Sequence, residues 1–187
     1  DSTQPQRERD IEKAKALLTE AGYGPGNPLK LTLLYNTAEI HKKMALAIAN
    51  LWKQKLGARV ELTNQEWKTY LDSRQSGQFE VIRSSWVADY NDPSAFLGLW
   101  GSHHSGNMAR FANPGYDALL TRAASSRDEG ERARLFDEAE TILQEEAPIA
   151  PIYQYTNARL IKPWLKGYPI NNPEDVAYSR QLYLVKH

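Results

Sequence analysis

A single carboxylate, Asp89, stands between two large aromatics in the run W-V-A-D-Y-N-D-P, residues Trp86 to Pro93, just past the end of an apolar stretch. A carboxylate there can hold a cation in a sheltered cleft. Arg83, three residues before Trp86, adds a cation that can meet an anion. One negative and one positive anchor in so short a stretch suit a zwitterion, such as a peptide, better than a simple ion. The same residues also have plainer readings. Asp89 ahead of Tyr90-Asn91-Asp92-Pro93 can cap a turn, and Arg83 can be a solvated strand residue. Trp67 and Trp86 are core residues by default, Arg74 a helix-surface charge, and His41 an exposed side chain in a first helical turn.

The types needed for catalysis are present without the spacings that would assemble them. His103-His104 is an adjacent pair, and adjacent side chains on a helix diverge by about 100°, so it lacks the i, i+4 spacing of a helical zinc pair. No H-E-x-x-H, G-x-S-x-G or glycine-rich phosphate loop occurs. A Ser-His-Asp triad assembles in space and is not excluded by spacing, but no local signature supports one. Cysteine is absent, which removes thiolate nucleophiles and cysteine zinc sites. The chain reads as a binding protein with no cofactor and not as an enzyme.

A length of 187 residues with 41% hydrophobic residues is enough for a core of ordinary size. Twenty-three basic residues balance twenty-three acidic ones, so no overall field gathers nucleic acid or an anionic membrane. The longest apolar run, Met44 to Ala49, is far short of a membrane span, so no membrane insertion is expected. Asp1-Ser2-Thr3-Gln4-Pro5 has no initiator Met or apolar leader and reads as a cut inside a longer protein.

Alternating elements must position these residues. Ile11, Ala14, Leu17, Leu18 and Ala21 predict a first helix over 7–21, stopped at Gly22. Leu29 to Tyr35 alternates as a strand, and Asn36 and Glu39 have the spacing of a capping box. A helix follows to Gly57, then a strand from Ala58 to Leu62. Asn64 is expected to cap a helix carrying Trp67, Tyr70, Leu71 and Arg74, and Phe79 to Trp86 reads as a third strand. This β-α-β-α-β order predicts a parallel sheet covered by helices, with ligands beyond the strand C-termini, where Asp89 lies.

From Asn91 to Asn113 the pattern breaks, with one helical turn near Ser94 to Leu99. Asn113-Pro114 then opens a helix, and a second over 128–145 buries Ala133, Phe136, Ala139, Ile142 and Leu143, making a helical hairpin. Pro148 to Tyr155 reads as a strand, and a broken tail ends in a strand-like Gln181 to Val185.

Four segments together resemble one family: A-K-A-L-L-T-E-A-G-Y (14–23), N-Q-E-W-K-T-Y-L-D-S-R (64–74), W-V-A-D-Y-N-D-P (86–93) and N-A-R-L-I-K-P-W (157–164). The chain resembles the periplasmic oligopeptide-binding proteins of bacterial ABC importers, within family 5 of the extracellular solute-binding proteins. The resemblance implies the C-terminal lobe of a type II periplasmic-binding-protein fold, an α/β lobe over 1–156. It also implies a tail over 157–187 that returns to an absent N-terminal lobe. The implied partners are an oligopeptide and a membrane permease, and the implied compartment is the periplasm. Residue by residue, it gives Asp89 the peptide α-ammonium and Arg83 a C-terminal carboxylate. Ser85 and Val87 fall where main chain pairs with the peptide, and Trp67 and Trp86 where aromatics wall the side-chain pockets. Arg74 and His41 match positions that receive carboxylates of longer peptides, and Tyr155 belongs to the same implied set. Gln75 departs from a histidine found in a close relative. A murein peptide, a nickel complex or a role as a non-transport interaction module are the alternatives.

Overall fold

Leu31, Leu33 and Tyr35 anchor β1 (Lys30–Asn36), the central strand of a three-stranded parallel sheet in the computed structural model, which describes residues 4–156, 158–170 and 176–186. On one side β1 pairs along its whole length with β2 (Arg59–Gln65), from Lys30 opposite Arg59 to Asn36 opposite Gln65. On the other it meets β3 (Val81–Ile82), with Leu33 opposite Val81 and Leu34 opposite Ile82. Parallel neighbours need long crossovers. The helices α2 (Glu39–Leu56) and α3 (Trp67–Ser76) provide them. Each ends on a glycine with left-handed backbone, Gly57 at φ 69° and Gly77 at φ 74°, a conformation that costs a side-chain-bearing residue more. As a strand covered on both faces, β1 buries Leu33, Leu34, Tyr35 and Asn36 in succession. Leu33, Tyr35 and Ala45 form the core with Ile48, Val60, Leu62 and Val81.

Ahead of the sheet, α1 (Gln4–Glu20) turns Ile11, Ala14 and Leu18 partly inward and packs on α2, while Leu17 stays exposed. The chain divides into two compact units, Asp1–Ser85 and Trp86–His187. In the second, α4 (Ser94–Leu97) runs into a 3-10 turn at Gly98–Trp100. The hairpin of α5 (Pro114–Ser125) and α6 (Glu129–Glu146) follows. Asn113 caps α5 by accepting the Tyr116 N–H at 3.0 Å, and Asp128 caps α6 by accepting the Glu131 N–H at 2.7 Å. Tyr116, Ala139 and Leu143 form one buried cluster, and Ala123, Leu135 and Phe136 another. Tyr116 is fully enclosed, and its hydroxyl donates to the Leu97 carbonyl at 2.7 Å. Burial holds that phenol protonated well above its ordinary range.

Several expectations from sequence are corrected here. Asn36 and Glu39 form no capping box, because Asn36 is the last residue of the β1 ladder and Ala38 occupies the cap without a side-chain bond. Asn64 is likewise taken into β2, opposite Tyr35, and Glu66 caps α3 by accepting the Lys68 N–H at 2.9 Å. The expected strand over 79–86 shrinks to Val81–Ile82. Upstream, the Glu80 carboxylate takes the Thr32 N–H at 2.6 Å and its hydroxyl at 2.8 Å, occupying a donor that a longer β3 would use. In α6 the buried face runs through Leu135, Ala139 and Leu143, and Ala133 is exposed. Residues 148–155 form no strand; Pro148 and Pro151 have no N–H to give a ladder. In the tail, β4 (Leu165–Lys166) pairs antiparallel with β5 (Tyr183–Leu184), a shorter strand than the expected 181–185. Of the tail expected over 157–187, residues 157, 171–175 and 187 lie outside the described residues.

Candidate functional site

The first unit brings four of the expected residues to the C-terminal ends of its parallel strands. Arg83 directly follows β3, and its N–H donates to the Leu34 carbonyl at 2.8 Å, so the sheet fixes its backbone. Its guanidinium reaches the side-chain oxygen of Asn36, at the end of β1, at 3.5 Å. His41, in the first turn of α2, has Nδ1 3.4 Å from the Asn36 carbonyl oxygen. From α3, Tyr70 donates its hydroxyl to the Arg83 carbonyl at 2.6 Å, and Arg74 donates to the Ser84 hydroxyl at 3.3 Å. Trp67 stacks on Tyr70 with ring centroids 5.6 Å apart and leaves 54% of its surface open.

The electrostatics of this corner are cationic. His41 has its pKa pulled below the ordinary histidine value first by burial and then by the Arg83 charge, against a smaller opposing effect of the Asn36 carbonyl. The imidazole is therefore held toward its neutral form, beside the guanidinium groups of Arg83 and Arg74. Such a corner can receive a carboxylate. Asn36 and Tyr70, which hold Arg83 and His41 in place, were not read as site residues. The i, i+3 spacing of Trp67 and Tyr70 on one helix face was the available signal.

The main chain changes character after Arg83. Among the described residues, no backbone group from Ser84 to Ala88 pairs with another backbone group, and Ser84, Ser85, Trp86 and Val87 are exposed. Main chain with open donors and acceptors can pair with an extended segment of another molecule.

In the second unit Trp86, Val87 and Asp89 are all exposed, and the Asp89 carboxylate has no hydrogen-bond partner among the described residues. Asp89 lines a recess of about 470 Å³ with Trp86, Tyr90, His104, Arg132 and Phe136. The neighbouring acid, Asp92, has a different fate. It accepts both terminal nitrogens of Arg132, at 2.5 and 2.8 Å, and the Ser94 N–H and hydroxyl at 2.9 and 2.6 Å. Its carboxyl is held far below the ordinary range, chiefly by the Arg132 hydrogen bonds. His104 Nδ1 accepts the Gly106 N–H at 2.9 Å. Tyr155 packs edge-to-face on Tyr153, centroids 5.0 Å apart, and is half exposed.

The family described as bacterial extracellular solute-binding proteins, family 5 Middle, matches residues 1–108. The periplasmic murein peptide-binding protein MppA of Escherichia coli is 65% identical over 175 residues, covering 94% of this chain and 33% of that protein. The periplasmic oligopeptide-binding protein OppA of Escherichia coli is 45% identical over 190 residues, 99% of this chain and 35% of that protein. The solved structure of the Escherichia coli murein tripeptide binding protein MppA superposes with a TM-score of 0.88 at 62% identity, over 98% of this chain and 36% of its own. The chain spans about a third of the length of the curated relatives it matches. With a parallel α/β sheet, a family match over more than half its residues and relatives that are solute-binding proteins, this chain belongs to the bacterial extracellular solute-binding proteins of family 5.

Proposed function

We propose that this chain is the C-terminal, ligand-binding lobe of a periplasmic peptide-binding protein that serves an ABC importer and has no enzymatic activity. The lobe spans 1–156, and the tail over 157–187 returns to an N-terminal lobe. Exposed apolar side chains in that tail, Leu160, Ile170 and Leu184, support its having a partner surface elsewhere. In this reading Asp89 receives the peptide α-ammonium, Arg83 a carboxylate, and Arg74 and His41 the carboxylates of longer peptides. Ser85 and Val87 pair with peptide main chain, while Trp67, Trp86 and Tyr155 wall the side chains. A membrane permease receives the loaded protein.

The observation that carries this reading is that, among the described residues, the main chain from Ser84 to Ala88 has no backbone partner and the exposed Asp89 that follows has no hydrogen-bond partner. A protein that accepts many sequences must draw its affinity from what every peptide shares. Each net hydrogen bond contributes roughly 0.5–1.5 kcal/mol, and one to a charged group roughly 1.5–3 kcal/mol. Several together with the two termini approach the roughly 8 kcal/mol of a micromolar complex. Tryptophan faces add about 0.5–2 kcal/mol for a cationic side chain without demanding one.

The test is calorimetry on the complete two-lobed protein. Asp89→Ala weakens a tripeptide with a free N-terminus more than tenfold and leaves its N-acetylated form nearly unchanged. Equal losses for both remove Asp89 from the ammonium role. A murein peptide is the second reading, favoured by 65% identity to the murein peptide-binding relative against 45% to the oligopeptide-binding one. Mass spectrometry of what co-purifies with the complete protein separates the two: murein fragments select the second reading, and a spread of ordinary peptides selects the first.

A further inference from the structure

Arg132 places a full positive charge on the wall of the recess that Asp89 also lines. Left to itself, a long arginine side chain in a half-enclosed recess is the natural partner of any open carboxylate there. It is not free to act as one. Two of its N–H groups go to Asp92, a third goes from Nε to the Ala123 carbonyl at 3.2 Å, and its guanidinium carbon lies 4.8 Å over the Phe136 ring. Asp92 is fixed in turn by the Ser94 N–H and hydroxyl at the start of α4. The fork geometry consumes both Asp92 oxygens, and three residues further back Asp89 keeps its own open.

We infer that Asp92 is a positioning residue whose task is to occupy Arg132 and so keep the Asp89 carboxylate available to an incoming ammonium group. The inference rests on the reading of Asp89 given above and adds the device that maintains it. Without Asp92, the Arg132 cation has a carboxylate to turn to across the recess, and it competes with the ligand from inside the protein. Depression of the Asp92 carboxyl keeps this guard charged across the working pH range, so it does not release Arg132 on mild acidification.

The experiment compares a free tripeptide with its N-acetylated form, by calorimetry on the complete protein, across four variants. Asp92→Asn keeps an oxygen for the Ser94 N–H but removes the charge and replaces one acceptor of the Arg132 fork with an NH2 donor. It lowers affinity for the free peptide about tenfold or more and for the acetylated peptide less than twofold. Asp92→Glu, which retains the charge, stays near the parent. Asp92→Asn combined with Arg132→Met recovers the free-peptide preference to within about threefold, because the competitor has gone. A merely structural role would lower binding of both peptides together and would not be rescued by removing a second hydrogen-bonding group. Loss of both peptides equally in Asp92→Asn, or no recovery in the double variant, overturns the inference. Should Asp92→Asn alone fail to fold, the double variant decides. Recovered preference supports the guard role, whereas lost preference or an unfolded double variant makes the pair a folding element only. Asp89→Asn in the same series keeps the two levels apart. If it leaves the free-to-acetylated ratio unchanged, the reading of Asp89 fails; if it abolishes the ratio while Asp92→Asn does not, only the guard fails.

Discussion

Tyr70, almost wholly buried in α3, donates its hydroxyl to the carbonyl of Arg83 at 2.6 Å. The bond ties a crossover helix to the residue at which the sheet ends and open main chain begins. Removing it with Tyr70→Phe leaves a half-buried carbonyl without that donor and is expected to cost about 1 kcal/mol. The urea midpoint should fall accordingly, while Thr69→Ala on the exposed side of the same helix leaves it in place. An unshifted midpoint in Tyr70→Phe would show that the hydroxyl does not hold Arg83.

Asn113 caps α5 through the Tyr116 N–H, and Tyr116 is the centre of a buried cluster. Asn113→Ala should destabilise the second unit by about 1 kcal/mol, and Asn113→Asp by much less, since an aspartate offers the same acceptor. Thermal denaturation of the two variants side by side checks the order.

His41 gives the first unit a pH dependence with a definite sign. Its folded pKa lies below the ordinary value of 6.5, with burial the first cause and Arg83 the second. Below that value the unfolded chain takes up the proton first, so stability is lost as pH falls from 6.5 toward the folded pKa, and nothing is gained above. His41→Gln should show a shallower loss than the parent between pH 7.5 and 5.5, read from denaturant midpoints. Parallel curves would exclude a depressed imidazole.

Gly167 follows β4 with φ 79°, and a Cβ placed on it would sit 1.8 Å from the Gln181 carbonyl oxygen. Gly167→Ala therefore combines a left-handed φ, worth about 1–2 kcal/mol, with a contact that the backbone must move to relieve. Pairing of β4 with β5 should be lost while the α5–α6 core keeps its melting temperature. Hydrogen exchange at Val185, whose N–H donates to the Trp164 carbonyl, reports it directly.

The order of β1, α2, β2 and α3 was legible because period and breakers agree: Leu31, Leu33 and Tyr35 alternate, and Gly57 and Gly77 stop the helices. Asn36 and Asn64 misled because a residue type that caps helices can equally finish a strand, and the ladder, not the local spacing, decides which. The length of β3 was not legible at all. Its upstream end is occupied by the Glu80 carboxylate on Thr32, a contact between residues 48 positions apart. His41, Trp67 and Arg74 could be assigned to their helices from sequence, but Arg83, Ser85, Trp86 and Tyr155 lie outside the strands expected to carry them, and the supports of the site could not be read. Asn36 beneath Arg83 and Arg132 on Asp92 are tertiary partners, the second forty positions away, and no periodicity announces them.

Each buried cluster is built from one unbroken length of chain: Leu33, Tyr35 and Ala45 with their neighbours all precede Trp86, and Tyr116, Ala123, Leu135 and Leu143 all follow it. During synthesis the earlier cluster therefore has every partner it needs once Ser85 has cleared the ribosome, and it can condense while the α5–α6 hairpin is still untranslated. A nascent chain stalled shortly after that point already carries a complete sheet.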